Sequence, residues 1–122
     1  MITIIKKSFQ TQNCLLDLYR NGVGKMIKVD ESFEEVHGMI RSRWIPEILD
    51  SIKAGNHSYG EIHESIDFIS ATELNRKLGL LVEKGALNKR EEANRSRYEL
   101  LDLGEDLHHI FHHLVELKEK YF

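Results

Sequence analysis

The chain has 122 residues, 41% hydrophobic and 30% charged, which suits one globular domain with a modest core rather than a disordered chain. A formal net charge of −3 weighs against a polyanionic partner, and the single cysteine, Cys14, excludes an internal disulfide and favours a reducing compartment. No stretch approaches membrane-span length and "MITII" is too short for a signal segment, so the expectation is a cytoplasmic protein without a membrane partner.

Residues 1–30 read as an N-terminal extension and candidate dimer arm, with "ITII" as a strand and "NCLLDLYRNG" as a short helix ending at Gly22. Residues 31–101 carry the sharper signals. Ser32 with Glu35 has capping-box spacing, predicting a helix over about residues 33–41. Ile45, Ile48, Leu49 and Ile52 then fall on one helical face, with Pro46 in the first turn and Gly55 just past the end. Ser58 with Glu61 opens a short helix with Tyr59, Ile62 and Ile66 inward. Ser70 with Glu73 makes the third such box and opens a helix over residues 69–84, closed by Gly85. The joint between these two, "IDFI", has helix-turn-helix length.

On the 69–84 helix a wheel places Ala71, Leu74, Leu78, Leu81 and Val82 inward. Thr72, Glu73, Arg76 and Leu80 point outward, with Asn75 and Lys77 at the edges. Beyond Gly85, "ALNKREE" and "RSRYELL" alternate around a polar tip, "EANR", and predict a β-hairpin. Residues 102–122 return to helix from Gly104 onward, with one apolar stripe of Leu103, Leu107, Ile110, Phe111, Leu114 and Leu117. A terminal helix this apolar predicts a homodimer seam. The fold expected is mostly α with a small hairpin: a winged helix-turn-helix.

Charge distribution modifies the net figure. Residues 70–97 hold seven basic against four acidic side chains, whereas residues 98–122 hold two against six. A helix fits the major groove, and a neighbouring basic hairpin reaches backbone or minor groove. The candidate contacts to double-stranded DNA are Ser70, Thr72, Glu73, Asn75, Arg76 and Lys77 on the helix. On the hairpin they are Lys89, Arg90, Asn94, Arg95 and Arg97. Any amphipathic surface helix exposes such residues, so a protein–protein module without DNA binding is the alternative.

Residues 36–104 resemble the HxlR-type branch of the MarR-like winged-helix transcriptional regulators. "IRSRW" stands where that family has a G-G-K-W-like element, and "YGEIHESIDFIS" where it has F-x-E-L…I-S. "LNRKLGLLVEKGALNKR" matches L-x-x-x-L-x-x-L-x-x-x-G-L-V-x-R, and "RYELLDLG" matches Y-x-L-T-P-L-G. The resemblance implies a dimeric, cytoplasmic, sequence-specific DNA-binding regulator. The sequence departs from it in four places: Glu31 where the family often has cysteine, Leu101–Asp102 for T-P, Leu80 for a polar residue, and Glu91–Glu92 near the wing tip.

"HHIFHH", residues 108–113, pairs His108 with His112 and His109 with His113 at i, i+4, a spacing that can hold a metal ion. These histidines lie away from the apolar stripe, where solvated residues belong, so no metal site is expected. Trp44 reads as a core anchor, or as one wall of a pocket for an unidentified small-molecule effector. No P-loop, G-x-S-x-G, H-E-x-x-H or Cys-rich zinc pattern occurs, so neither enzyme activity nor a cofactor is expected.

Overall fold

The computed structural model describes residues 26–122; the expected strand "ITII", the "NCLLDLYRNG" helix and Cys14 lie outside the described residues. Within them the order is α1 (Glu31–Ile40), α2 (Ile45–Lys53), α3 (Tyr59–Ser65), α4 (Ala71–Glu83), β1 (Leu87–Glu92), β2 (Arg95–Leu100) and α5 (Asp102–Tyr121). Helices with one antiparallel hairpin in this order make a winged helix-turn-helix. The chain divides after Gly38 into two compact units, and the second, Met39–Phe122, carries the core.

α1 starts earlier than residue 33 because Asp30, not Ser32, caps it. Asp30 Oδ1 accepts from the Phe33 N–H at 2.9 Å, and its carbonyl accepts from the Glu34 N–H at 3.0 Å. A carboxylate both caps and favours the positive end of the helix, so Ser32 and Glu35 fall inside it. α2 follows its pattern: Ile45, Ile48, Leu49 and Ile52 are all buried. It ends in a Schellman turn, with the Gly55 N–H on the Ile52 carbonyl and the Asn56 N–H on the Ser51 carbonyl; Gly55 takes φ 114°.

α3 has the full capping box, Ser58 Oγ accepting from the Glu61 N–H and Glu61 accepting from the Ser58 N–H. α4 has half of one. Ser70 Oγ accepts from the Glu73 N–H at 3.1 Å, but the Glu73 carboxylate turns to Arg76, one helical turn on. α4 also closes in a Schellman turn, Gly85 to Val82 and Ala86 to Leu81, which brings Ala86 into the core.

The core joins Ile45, Ile48 and Leu49 of α2, Ile62 of α3, Leu74, Leu78 and Leu81 of α4, Leu87 of β1, Tyr98 of β2, and Leu107 and Phe111 of α5. Each large apolar side chain taken fully from water contributes roughly 1.5–3 kcal/mol. Leu80, expected outward, is partly buried against this cluster. Ala71, expected inward, is exposed at the first position of α4.

The hairpin is tighter than expected. Glu92 and Arg95 pair in the ladder, so the tip is Ala93–Asn94 alone, at φ 49° and 64°. Two central residues at positive φ make the turn whose twist matches the strands. Strict alternation is absent, since Leu87 is the buried residue of β1 and Tyr98 that of β2. A stub of third strand lies along β2. The Tyr98 N–H donates to the His57 carbonyl and His57 Nδ1–H donates to the Tyr98 carbonyl, each at 2.8 Å, and Ser58 bridges to Arg97.

α5 begins at Asp102, two residues before Gly104. Gly104 is buried; a Cβ there would strike the Ala86 carbonyl oxygen and come within 3.0 Å of Leu100 Cδ2. The apolar stripe is divided. Leu107 and Phe111 are buried in the core and Leu103 packs against it, while Ile110, Leu114 and Leu117 are exposed. The core therefore draws on the first half of α5.

Candidate nucleic-acid interface

α4 is 13 residues, about 20 Å of helix, long enough to lie across a major groove. Its inner leucines fix its rotation. Thr72, Asn75 and Arg76 then face water. The Arg76 guanidinium stays two-thirds exposed and touches Glu73 at 3.2 Å. An exposed pair of this kind contributes about 0–1 kcal/mol, so another anion or a base edge can displace it at small cost. At the head of α4, Ser70 Oγ takes the Glu73 N–H. The Ala71 and Thr72 N–H groups have no partner among the described residues and point along the positive end of the helix dipole.

Lys77 is committed elsewhere. Its Nζ donates to Ser42 Oγ at 2.8 Å, tying α4 to the turn before α2. Residue spacing within one helix gave no sign of this link, because Ser42 is distant in sequence.

The wing follows α4 after a three-residue link, and β1 contacts that helix. Most of the wing's charges are already paired. Arg90 meets Glu99 at 3.0 Å and Glu92 at 3.5 Å, Arg97 meets Glu99 at 3.5 Å, and Lys89 meets Glu91 at 3.7 Å. Arg95 has no side-chain partner among the described residues, and Asn94 stands beside it at the tip. The five proposed wing contacts thus include one free cation.

The His108–His113 cluster does not converge. His108 is turned from solvent, with Nε2 2.9 Å from Asp50 Oδ1 on α2, against the expectation that all four histidines face water. His112 and His113 lie 3.9 and 3.2 Å from Glu116. Among the described residues no three ligating side chains come together as a metal site. Trp44 starts α2 at φ 75°, packs against the core and lies under the Arg43 guanidinium at 4.5 Å.

The HxlR-like helix-turn-helix family matches residues 39–122, which spans α2 through α5 and the wing. The chain belongs to that family. As an HxlR-like chain it is a transcriptional regulator of the HxlR/MarR type. Solved structures share its fold. A MarR-family transcriptional regulator from Porphyromonas gingivalis W83 has a TM-score of 0.66 at 23% identity, over 81% of this chain and 100% of that one. The reduced form of the regulator YodB from B. subtilis has 0.68 at 20%, over 79% and 95%. An HxlR-family transcription factor from Thermoplasma volcanium GSS1 has 0.64 at 23%, over 76% and 85%. A comparison with curated proteins returns no match. Among the described residues no helix is long and apolar enough to cross a membrane.

Proposed function

We propose that this HxlR-type regulator binds double-stranded DNA in the cytoplasm as a homodimer. α4 lies in the major groove and the wing rests on the flanking backbone. The observation that carries this reading is the exposed face of α4, where Thr72, Asn75 and Arg76 stand clear of the core and Arg76 is held only by a solvent-exposed pair. Arginine matches the two acceptors of guanine, and the free N–H groups at the head of α4 suit a phosphate. Arg95 anchors the wing. The exposed Ile110, Leu114 and Leu117 of α5, with Leu103 at its root, form the seam between protomers. Leu107 and Phe111 support that seam from within the core.

A groove of about 570 Å³ between α2 and α5 is the place for a small-molecule effector in this reading. Pro46, Phe111 and Val115 give it apolar walls, and Glu47, His112 and Lys118 a polar rim.

The test is selection of bound duplexes from a random pool, followed by binding with variants. Arg76→Ala should cost about 1–3 kcal/mol on the selected site and relax preference at one base pair. Arg95→Ala should weaken binding to every sequence alike and lower the log–log salt slope by about one unit. Arg97→Ala should act in the same direction, since its exposed 3.5 Å pair with Glu99 is displaced at small cost. Failure to enrich any duplex, with the fold intact, would favour the protein–protein module.

A further inference from the structure

Phe68 sits in the joint between α3 and α4 under two penalties at once. Its φ is 72°, in the left-handed region that a side chain with a Cβ disfavours. The residue is 97% exposed, so no packing offsets that strain. The residues around it are pinned. Ile66 and Ile69 are buried at 7% and 6%, and the Ile69 carbonyl accepts from His63 Nε2–H at 3.0 Å. The ring therefore cannot relax into the core without unseating the joint. For folding alone, glycine would serve better at this position. Strain kept at an exposed residue points to a contact made with something else.

The place of the ring says what that is. Phe68 is two residues before Ser70, the N-cap of α4, hence within about 7 Å of the helix end that the DNA reading sends into the groove. An apolar ring offers a phosphate no donor and no charge, so Phe68 suits the base edges better than the backbone. On the floor of the major groove the apolar group is the 5-methyl of thymine. We propose that Phe68 packs on a thymine 5-methyl at the edge of the major groove, and so sets sequence preference at that base pair. The proposal rests on the DNA-binding reading of α4.

The probe is a duplex that the wild-type protein itself enriches from a random pool, synthesised with thymine and with deoxyuridine substituted at one thymine per half-site in turn. At one such position wild-type affinity should fall about fourfold per missing methyl. Phe68→Gly should bind the thymine duplex more weakly than wild type, show no thymine–deoxyuridine difference there, and melt at a higher temperature. Phe68→Asn, which also tolerates the left-handed region, should behave as Phe68→Gly does in binding. The deoxyuridine series on wild type reads the contact even if a variant folds poorly. Indifference of wild type to every substitution overturns the proposal, as does a Phe68→Gly protein that keeps wild-type affinity and discrimination. Loss of binding by Arg76→Ala in the same series keeps the DNA reading standing in either case. A change of oligomeric mass in Phe68→Gly with unchanged DNA binding would make the ring a protein contact and also overturn the proposal. If wild type enriches no duplex, the DNA reading and this proposal fall together.

Discussion

Two leucines two turns apart on one face of α5 separate stability from assembly. Leu107 is 1% exposed and touches the core, whereas Leu114 is 47% exposed. Leu107→Ala removes buried methyl groups and leaves a cavity, at a cost of about 2–5 kcal/mol. A domain this size holds about 5–15 kcal/mol in all, so the variant loses a large share of its stability. Leu114→Glu costs a single protomer little, since the carboxylate can reach water. In a two-fold seam the same carboxylate would be buried near its symmetry mate, which is strongly unfavourable. Urea unfolding at several protein concentrations, with sedimentation equilibrium, reads both effects. Wild type should unfold at higher urea as concentration rises, because association stabilises it. Leu107→Ala should lower the midpoint at every concentration. Leu114→Glu should sediment as a monomer with a concentration-independent midpoint. A Leu114→Glu protein that kept a dimeric mass would refute the seam, and a Leu107→Ala cost under about 1 kcal/mol would refute the packing argument.

Gly104→Ala forces a methyl against the Ala86 carbonyl and should destabilise by about 1–3 kcal/mol despite better helix propensity, while Gly79→Ala, with open space around it, should stabilise by up to about 1 kcal/mol; thermal melts of the two should move in opposite directions. The His57 and Ser58 N–H groups hold the Glu61 carboxyl below its usual range, the His57 bond foremost. A depressed folded-state pKa adds stability above the unfolded value that is lost as pH falls through the folded one. The gap in unfolding stability between wild type and Glu61→Gln should therefore be present at neutral pH and close under acid; a gap that widened toward low pH would contradict this. Ser58→Ala should cost about 1 kcal/mol in denaturant titrations through loss of the same cap. Zinc titration should show no stoichiometric site at residues 108–113; tight uptake abolished by His109→Ala with His113→Ala would overturn that expectation.

What the sequence revealed was local. The Ser58–Glu61 box, Gly55 and Gly85 as helix stops, and the α2 face all depend on neighbours within one or two turns, and all appear. Competition among such signals was less legible. Asp30 displaces Ser32 as a cap, and Arg76 draws Glu73 away from Ser70. The tip of the hairpin closes on Ala93–Asn94 without the glycine that marks most such turns, so it read as longer than it is. Phe68 and Trp44 give no sequence sign of their left-handed backbone for the same reason. Tertiary pairing was hidden altogether. Lys77 with Ser42, His108 with Asp50, and the burial of Leu107 and Phe111 in place of exposure depend on which elements meet. Of the candidate interface, the sequence nominated side chains without showing their existing partners, which is why the wing read as more open than it is.

The close fit at Gly104 gives α5 the geometry of a lever. Its root bears on the Ala86 carbonyl, the point where α4 has just ended and the wing is about to begin. From Leu114 to Tyr121 the rod continues for about 12 Å with its side chains largely exposed. The short arm, by contrast, bears on the Ala86 backbone and the tip of the Leu100 side chain, with no room for a methyl between them. A displacement imposed at the far end would therefore reach the junction between α4 and β1 reduced by the ratio of the arms.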